Sequence, residues 1–275
     1  MKADELEAVL TTVRDAARAA ADLVARGYRK HPAVEHKGAC DLVTSFDRDS
    51  EALLRKLLGA ALPFDIVGEE EGGAWNKEKP AFFIDPIDGT TNFVHGHPFW
   101  CVSLGLVVEA QPTLGVVIAP ALGLEWFGYL ADDGHRRAVR HALGNAEESC
   151  VVSGIAGFED SLLATGFPYD RRTSADNNFD AFVAIKQRCQ AVRRCGSAAL
   201  DLCLVADGTY EGYWERKLRP WDIAGGIAIV RAAGGRVSEF DGGIGCITSG
   251  YVVASNGLIH EALLTELGNV AASMR

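Results

Sequence analysis

Residues 82–95 read FFIDPIDGTTNFVH. Asp85 and Asp88 stand three positions apart, directly after an apolar run that reads as a buried strand. Two carboxylates repel each other and hold water strongly. Neither belongs in a protein interior unless positive charge lies between them. Two more acidic residues hold comparable positions: Glu69 follows the apolar run of FDIVGEEEGG, and Asp222 opens the helical pattern of WDIAGGIAIV. Carboxylates where strands stop and helices start face a shared sheet edge, the usual place for a site in layered α/β proteins. Each also has an ordinary alternative. Asp88 and Asp222 could cap helices, and Glu69 to Glu71 could form a solvated turn. Together they are hard oxygen donors with no histidine or cysteine among them, a set that suits Mg²⁺ or Mn²⁺ and not Zn²⁺. Pro86 stiffens the link between the two aspartates, and Gly89 lets the backbone approach a ligand. The amides of Gly89 and Thr90 open a helix, where phosphate is favoured.

Such residues need elements to position them. Helical patterns cover about 4–28 and 47–62. Apolar runs at 64–68, 81–85, 101–109, 112–120 and 124–130 predict strands, the last three an antiparallel meander. Residues 131–150 are polar and carry no readable period. Beyond them, helices at 176–188, 197–206, 222–233 and 257–272 alternate with strands at 190–194, 210–215, 235–239 and 250–254. That alternation predicts a layered α/β sandwich. No repeat, low-complexity tract or linker interrupts the chain. Residues 1–275 are expected to form one domain, with a metal-binding half to about residue 150 and a substrate-side half after it.

Bulk properties narrow the function. With 275 residues and a net charge of −10, the chain lacks the basic excess of a duplex-DNA binder, so nucleic acid is an unexpected ligand. An acidic protein that binds an anion needs local help from metal ions, helix N-termini or backbone amides. Seven cysteines with no C-x-x-C pair argue against a disulfide framework or a zinc ribbon. The N-terminal stretch carries Leu6, Leu10, Val13, Ala17, Ala20 and Val24 at helical spacing, and reads as an amphipathic helix, not a secretion signal. No apolar run reaches membrane-spanning length.

FFIDPIDGTTNFVH resembles the first signature of the inositol monophosphatase family, and WDIAGGIAIVRAAGG resembles its second. GEE at 68–70, DLVTSFD at 41–47 and GSAALDLCLVADGTYEGYWE at 196–215 are similar to its other blocks, in the family's order. The resemblance implies an αβαβα sandwich of the inositol monophosphatase/fructose-bisphosphatase type. It implies a Mg²⁺-dependent, lithium-sensitive phosphomonoesterase, homodimeric, with two or three ions per site and Mn²⁺ as a substitute; the scattered cysteines read as reduced thiols of a cytoplasmic protein. Glu69, Asp85 and the carbonyl of Ile87 match the first metal site, and Asp85, Asp88 and Asp222 the second. A third ion would again use Glu69. Asp47 and Thr90 match the pair that activates the attacking water. The Gly89 and Thr90 amides match the phosphate cradle. Asp88, Ser197, Ala198, Glu215 and Asp222 match positions lining the alcohol. Lys37, four residues before Asp41, resembles part of the family's loop over the metals. Residues 131–150 depart from the family pattern, which has a glycine-rich hairpin with an Asn-Gly turn there.

The implied chemistry is hydrolysis of a small phosphorylated alcohol by metal-activated water. Inositol 1-phosphate is the first substrate, because Glu215 matches a reader of sugar-like hydroxyls. Histidinol phosphate, fructose 1,6-bisphosphate and phosphoadenosine phosphate are the alternatives within the class. A regulatory protein-binding module and a calcium-binding module are the rivals outside it. Cys101 and Ser103 read as strand residues, His95 and His97 as a turn, and GIAGFED and AAGGRV as turns without a Walker lysine. Arg171, Arg172, Arg193 and Arg194 read as solvated or subunit-contact pairs in preference to a second phosphate site, although Arg193 lies just before the substrate-side GSAAL. Trp214 and Trp221 are expected to pack the substrate wall.

Overall fold

The computed structural model describes residues 1–38, 42–142 and 144–273. The chain opens with α1 (Ala3–Ala25), β1 (Val34–His36), β2 (Leu42–Thr44), α2 (Ser45–Ala61), β3 (Asp65–Gly68), β4 (Ala81–Asp88) and α3 (Thr90–Val94). The meander follows as β5 (Cys101–Val108), β6 (Gln111–Ala119), β7 (Leu124–Leu130), β8 (Arg136–Ala142) and β9 (Glu147–Ser149). The second half holds β10 (Leu162–Thr165), α4 (Phe179–Lys186), β11 (Ala191–Arg193), α5 (Ala198–Ala206), β12 (Gly212–Glu215) and α6 (Pro220–Ala232). It ends with β13 (Arg236–Ser238), α7 (Cys246–Ser249), β14 (Val252–Ser255) and α8 (His260–Ser273).

Strands β3 to β9 form a seven-stranded sheet in sequence order, and a five-stranded sheet runs β11-β10-β12-β14-β13. Helices α1 and α2 cover one face of the large sheet, burying Leu6, Leu10, Val13, Leu54 and Leu58 against Phe82, Leu104 and Val116. Helices α5 and α6 lie between the two sheets, and α4 and α8 cover the outer face of the smaller one. The order is therefore α-β-α-β-α, as expected. The sandwiched helices show why. In α6, Ile223 to Val230 are all buried, and in α5 only Leu204 is not fully so. A helix apolar on every side must be covered on every side. No helix of the described residues is long and apolar enough to cross a membrane.

The expected elements match within a few residues; the short β1, β2 and α7 were not expected, and two further exceptions are informative. Where no period was readable, β8 and β9 form after all: β8 pairs with β7 and β9, with Val139 opposite Ser149. The strand hides from pattern reading because it lies near the sheet edge. Its arginines reach acidic partners, Arg137 to Glu7 and Glu147, and Arg140 to Glu148. Charge on such strands also discourages edge-to-edge pairing. The second exception is β10, a four-residue strand in parallel pairing on both sides. It is too short to show a period.

Candidate active site

Strand β4 delivers the aspartate pair. Asp85 lies opposite Ser103 of β5 and Asp88 opposite Cys101, so three steps on one strand match two on the other. This bulge resets the pleat. Without it, Asp85 and Asp88 would point to opposite faces. With it, both turn into one cleft, and the strand runs on to Asp88 where a turn was expected at Pro86. Gly89 follows with φ +93, a conformation in which a Cβ would also meet Gly196 O and Phe99 O at 3.1 Å. It starts the short helix α3, whose first N–H groups have no partner within the helix.

Each other acidic residue is fixed by its own element. Glu69 follows β3 in a loop pinned by buried Glu51, which accepts from the Glu70 and Glu71 amides at 2.7 and 3.0 Å. Asp47 and Asp222 both do what a capping aspartate does. Asp47 Oδ2 accepts from Thr44 N and Thr44 Oγ1 at 2.8 and 2.7 Å, and Asp222 Oδ2 accepts from Arg219 N at 2.7 Å. Capping uses one oxygen of each, and the other faces the site. Asp47 Oδ1 accepts from Thr90 Oγ1 at 3.3 Å, and the same hydroxyl lies 3.0 Å from Ile87 O. Asp88 Oδ2 accepts from Ser197 Oγ at 2.6 Å and Ala199 N at 2.7 Å. The N-terminus of α5 thus holds Asp88, and Ser197, expected only on the substrate wall, is one of its supports.

The electrostatics are those of anions forced together. Burial pushes Asp85 well above the usual carboxylate range, and Glu69, Asp88 and Asp222 push it further. Asp222 is raised likewise by burial, Asp88 and Glu69. Burial raises Asp88 to about 6 against the hydrogen bonds from Ser197 and Ala199, and Glu69 to about 7 against the pull of Lys37. Asp47 is raised by burial. Lys37 Nζ reaches Glu69 Oε1 at 3.0 Å and also binds Glu70. One ammonium cannot offset four carboxylates. Among the described residues, no three acidic, histidine or cysteine side chains already stand as a closed metal cluster. Asp85 Oδ1, Asp222 Oδ2 and Glu69 Oε1 each hold an internal hydrogen bond. The all-oxygen donor set and the mutual repulsion nevertheless fit hard divalent cations.

These groups line one cleft of about 510 Å³. Its walls include Lys37, Glu69, Asp85, Ile87, Asp88, Gly89, Thr90, Ser197, Ala198, Glu215 and Asp222, nearly every expected site residue. Asp47 stands behind Thr90. Asp41 lies outside the described residues. Among the described residues Glu215 makes no surface ion pair. It is buried, accepts from Tyr213 Oη at 2.5 Å, and is raised to about 7 by burial. Trp221 lines the cleft as expected, but Trp214 does not. On β12 alternate side chains face opposite ways, so Trp214 points into the outer core and donates to Asn178 Oδ1 at 3.0 Å. Sequence reasoning missed Asp201 and the 166–170 wall, and it read Arg194, which lines the cleft, as a solvated or subunit-contact residue. Asp201 lies one turn after Ser197 on α5, a spacing that could have revealed it.

Layered sheets and helices around a buried carboxylate cleft define a class of hydrolase, and comparison identifies it. The inositol monophosphatase family matches residues 5–272. An inositol-1-monophosphatase of Synechocystis sp. is 40% identical over 262 residues, 94% of this chain and 88% of that one. A protein of Pasteurella multocida named Nus factor SuhB is 36% identical over 92% of each chain. The solved inositol monophosphatase of Anabaena (Nostoc) sp. superposes with a TM-score of 0.84 at 36% identity, covering 96% of this chain and 97% of that one. The chain belongs to the inositol monophosphatase family. It is an enzyme, a phosphoric monoester hydrolase, of a family whose catalysis depends on divalent metal.

Proposed function

We propose that the protein hydrolyses a small phosphorylated alcohol, inositol 1-phosphate first, using Mg²⁺. The observation that carries this is the facing of four carboxylates, Asp85 and Asp88 buried and Glu69 and Asp222 partly so, beside the Asp47–Thr90 pair. Those four and the carbonyl of Ile87 would hold two ions, or three with Glu69 shared, and Mn²⁺ has the same preferences. When bound, the ions supply charge neutralisation for the phosphate and an acidified water. Asp47, anchored by Thr44, keeps one oxygen free to take a proton through Thr90. The Gly89 and Thr90 amides orient the phosphoryl oxygens. Ser197, Ala198 and Glu215 face the leaving alcohol, and the buried acceptor of Glu215 favours hydroxylated alcohols. In this reading residues 1–275 work as one unit in the cytoplasm, as a homodimer.

The test is phosphate release from inositol 1-phosphate, histidinol phosphate, fructose 1,6-bisphosphate and glycerol 2-phosphate, with Mg²⁺, Ca²⁺ or chelator. Asp88→Asn should leave the circular dichroism unchanged and lower turnover at least about a hundredfold, as loss of a strong electrostatic group does. No release with Mg²⁺ overturns the reading in favour of a protein-binding role. Near-normal turnover by Asp88→Asn overturns the metal assignment.

A further inference from the structure

Five cations line the cleft: Lys37, Arg194, Arg216, Lys217 and Arg219. Three are committed. Lys37 is held by Glu69 and Glu70, Arg216 by Asp176, and Lys217 by Asp170 at 2.9 Å. The side chains of Arg194 and Arg219 make no ion pair or hydrogen bond among the described residues. Arg219 opens α6 beside Asp222, at the carboxylate end. Arg194 belongs to the other end. Its guanidinium lies over Gly196, where a Cβ would stand 2.7 Å from Nη1, and Gly196 takes φ +92. The charges it faces are Glu215 and Asp201, on the alcohol wall. Neither bonds to it. Glu215 is occupied by Tyr213, and Asp201 Oδ1 is buried without a hydrogen-bond partner.

A guanidinium presents a rigid fork of donors that matches phosphate and carboxylate in two parallel hydrogen bonds. We propose that Arg194 is a specificity-determining residue that receives a second anionic group, a phosphate or carboxylate, carried by the leaving alcohol. The proposal rests on the phosphatase reading above and adds to inositol 1-phosphate a further substrate class, esters with two anionic ends. The carboxylate–metal end takes the scissile phosphate, and Arg194 takes the other anion across the cleft. A neutral polyol would offer Arg194 neither an opposite charge nor the paired acceptors that match its fork.

The experiment measures kcat/KM on glycerol 2-phosphate, 3-phosphoglycerate and fructose 1,6-bisphosphate. The first carries one anionic group, the second adds a carboxylate, and the third a second phosphate. The protein is compared with Arg194→Ala, Arg194→Lys and Arg193→Ala, the last removing the same charge next door, outside the cleft lining. The native enzyme should prefer at least one two-anion ester. Arg194→Ala should lower that preference, relative to glycerol 2-phosphate, by about ten- to a hundredfold, mainly through KM, as loss of a charge-assisted bidentate contact does. Arg194→Lys should recover part of it, and Arg193→Ala should change nothing. Which ester loses most identifies carboxylate or phosphate. Equal losses on all three esters, or no native preference, overturn the proposal and leave the phosphatase reading intact. No turnover of any ester overturns both.

Discussion

Gly115→Ala should damage catalysis from a position that never touches the substrate. Gly105 and Gly115 face each other on β5 and β6, and α6 lies directly on them at Gly225. A Cβ on residue 115 would stand 2.1 Å from Gly225 O, and one on residue 105 would stand 2.4 Å from Gly225 N. Both obstacles are backbone, so no side chain can turn aside. Ordinary van der Waals contact, at about 3.5 Å, returns only if the helix retreats by about 1.4 Å. Asp222 sits in the first turn of that helix, three residues before Gly225, and must move with it. Overpacking of this kind costs about 1–3 kcal/mol. For a chain of this size that is roughly 3–10 °C in melting temperature. A displacement of about 1 Å at a reacting centre costs on the order of a hundredfold in rate. Thermal melts by circular dichroism and phosphate release at saturating Mg²⁺ measure the two effects. Gly59→Ala is the control: its exposed helical site has nothing within 4 Å, and the change should stabilise by about 0.5–1 kcal/mol. Native melting and native kcat in Gly115→Ala would refute the packing argument. A lowered melt with native kcat would refute the role given to Asp222.

Further outcomes are expected. Glu215→Gln should lower kcat/KM for inositol 1-phosphate and spare glycerol 2-phosphate; equal losses on both would count against hydroxyl recognition. Millimolar Li⁺ should inhibit, and a flat response would argue against a family-like second metal position. His260 is buried, with Nδ1 and Nε2 each 2.8 Å from a serine hydroxyl, Ser255 and Ser238. Burial, then Arg236, lowers its pKa from 6.5 to about 4. The unfolded chain therefore takes up this proton first. The stability it contributes is complete above about pH 6.5 and is lost as pH falls toward 4, by up to about 3 kcal/mol. Urea melts across that window should show the slope in the native protein and a weaker slope in His260→Gln; identical slopes would contradict the assignment.

Much of the site was readable because its residues cluster in short continuous stretches. Asp85, Asp88, Gly89 and Thr90 lie within six residues, between a strand and a helix that local pattern predicts. The meander was equally plain, since its turns are short and its strands apolar on both faces. The hairpin at β8 and β9 was not, because its stabilising partners lie elsewhere: Glu7 bonds Arg137 across 130 positions. Nor could β10 be found from four residues whose partners are β11 and β12.

Residue types and local spacing settle the donor chemistry, the capping aspartates and the layered architecture, because each depends on neighbours within a turn or a strand. Only the packed chain decides which oxygen of each carboxylate stays free. Asp47 and Asp222 give one to their own helices, while Asp88 gives one to a serine 109 positions away. Packing also turns Glu215 toward the cleft and Trp214 away from it. It pairs Arg216 with Asp176 and leaves Arg194 without a partner among the described residues. These are long-range matters of geometry: a side chain's charge is written in its type, but its partner is set by what the fold brings within about 3 Å of it.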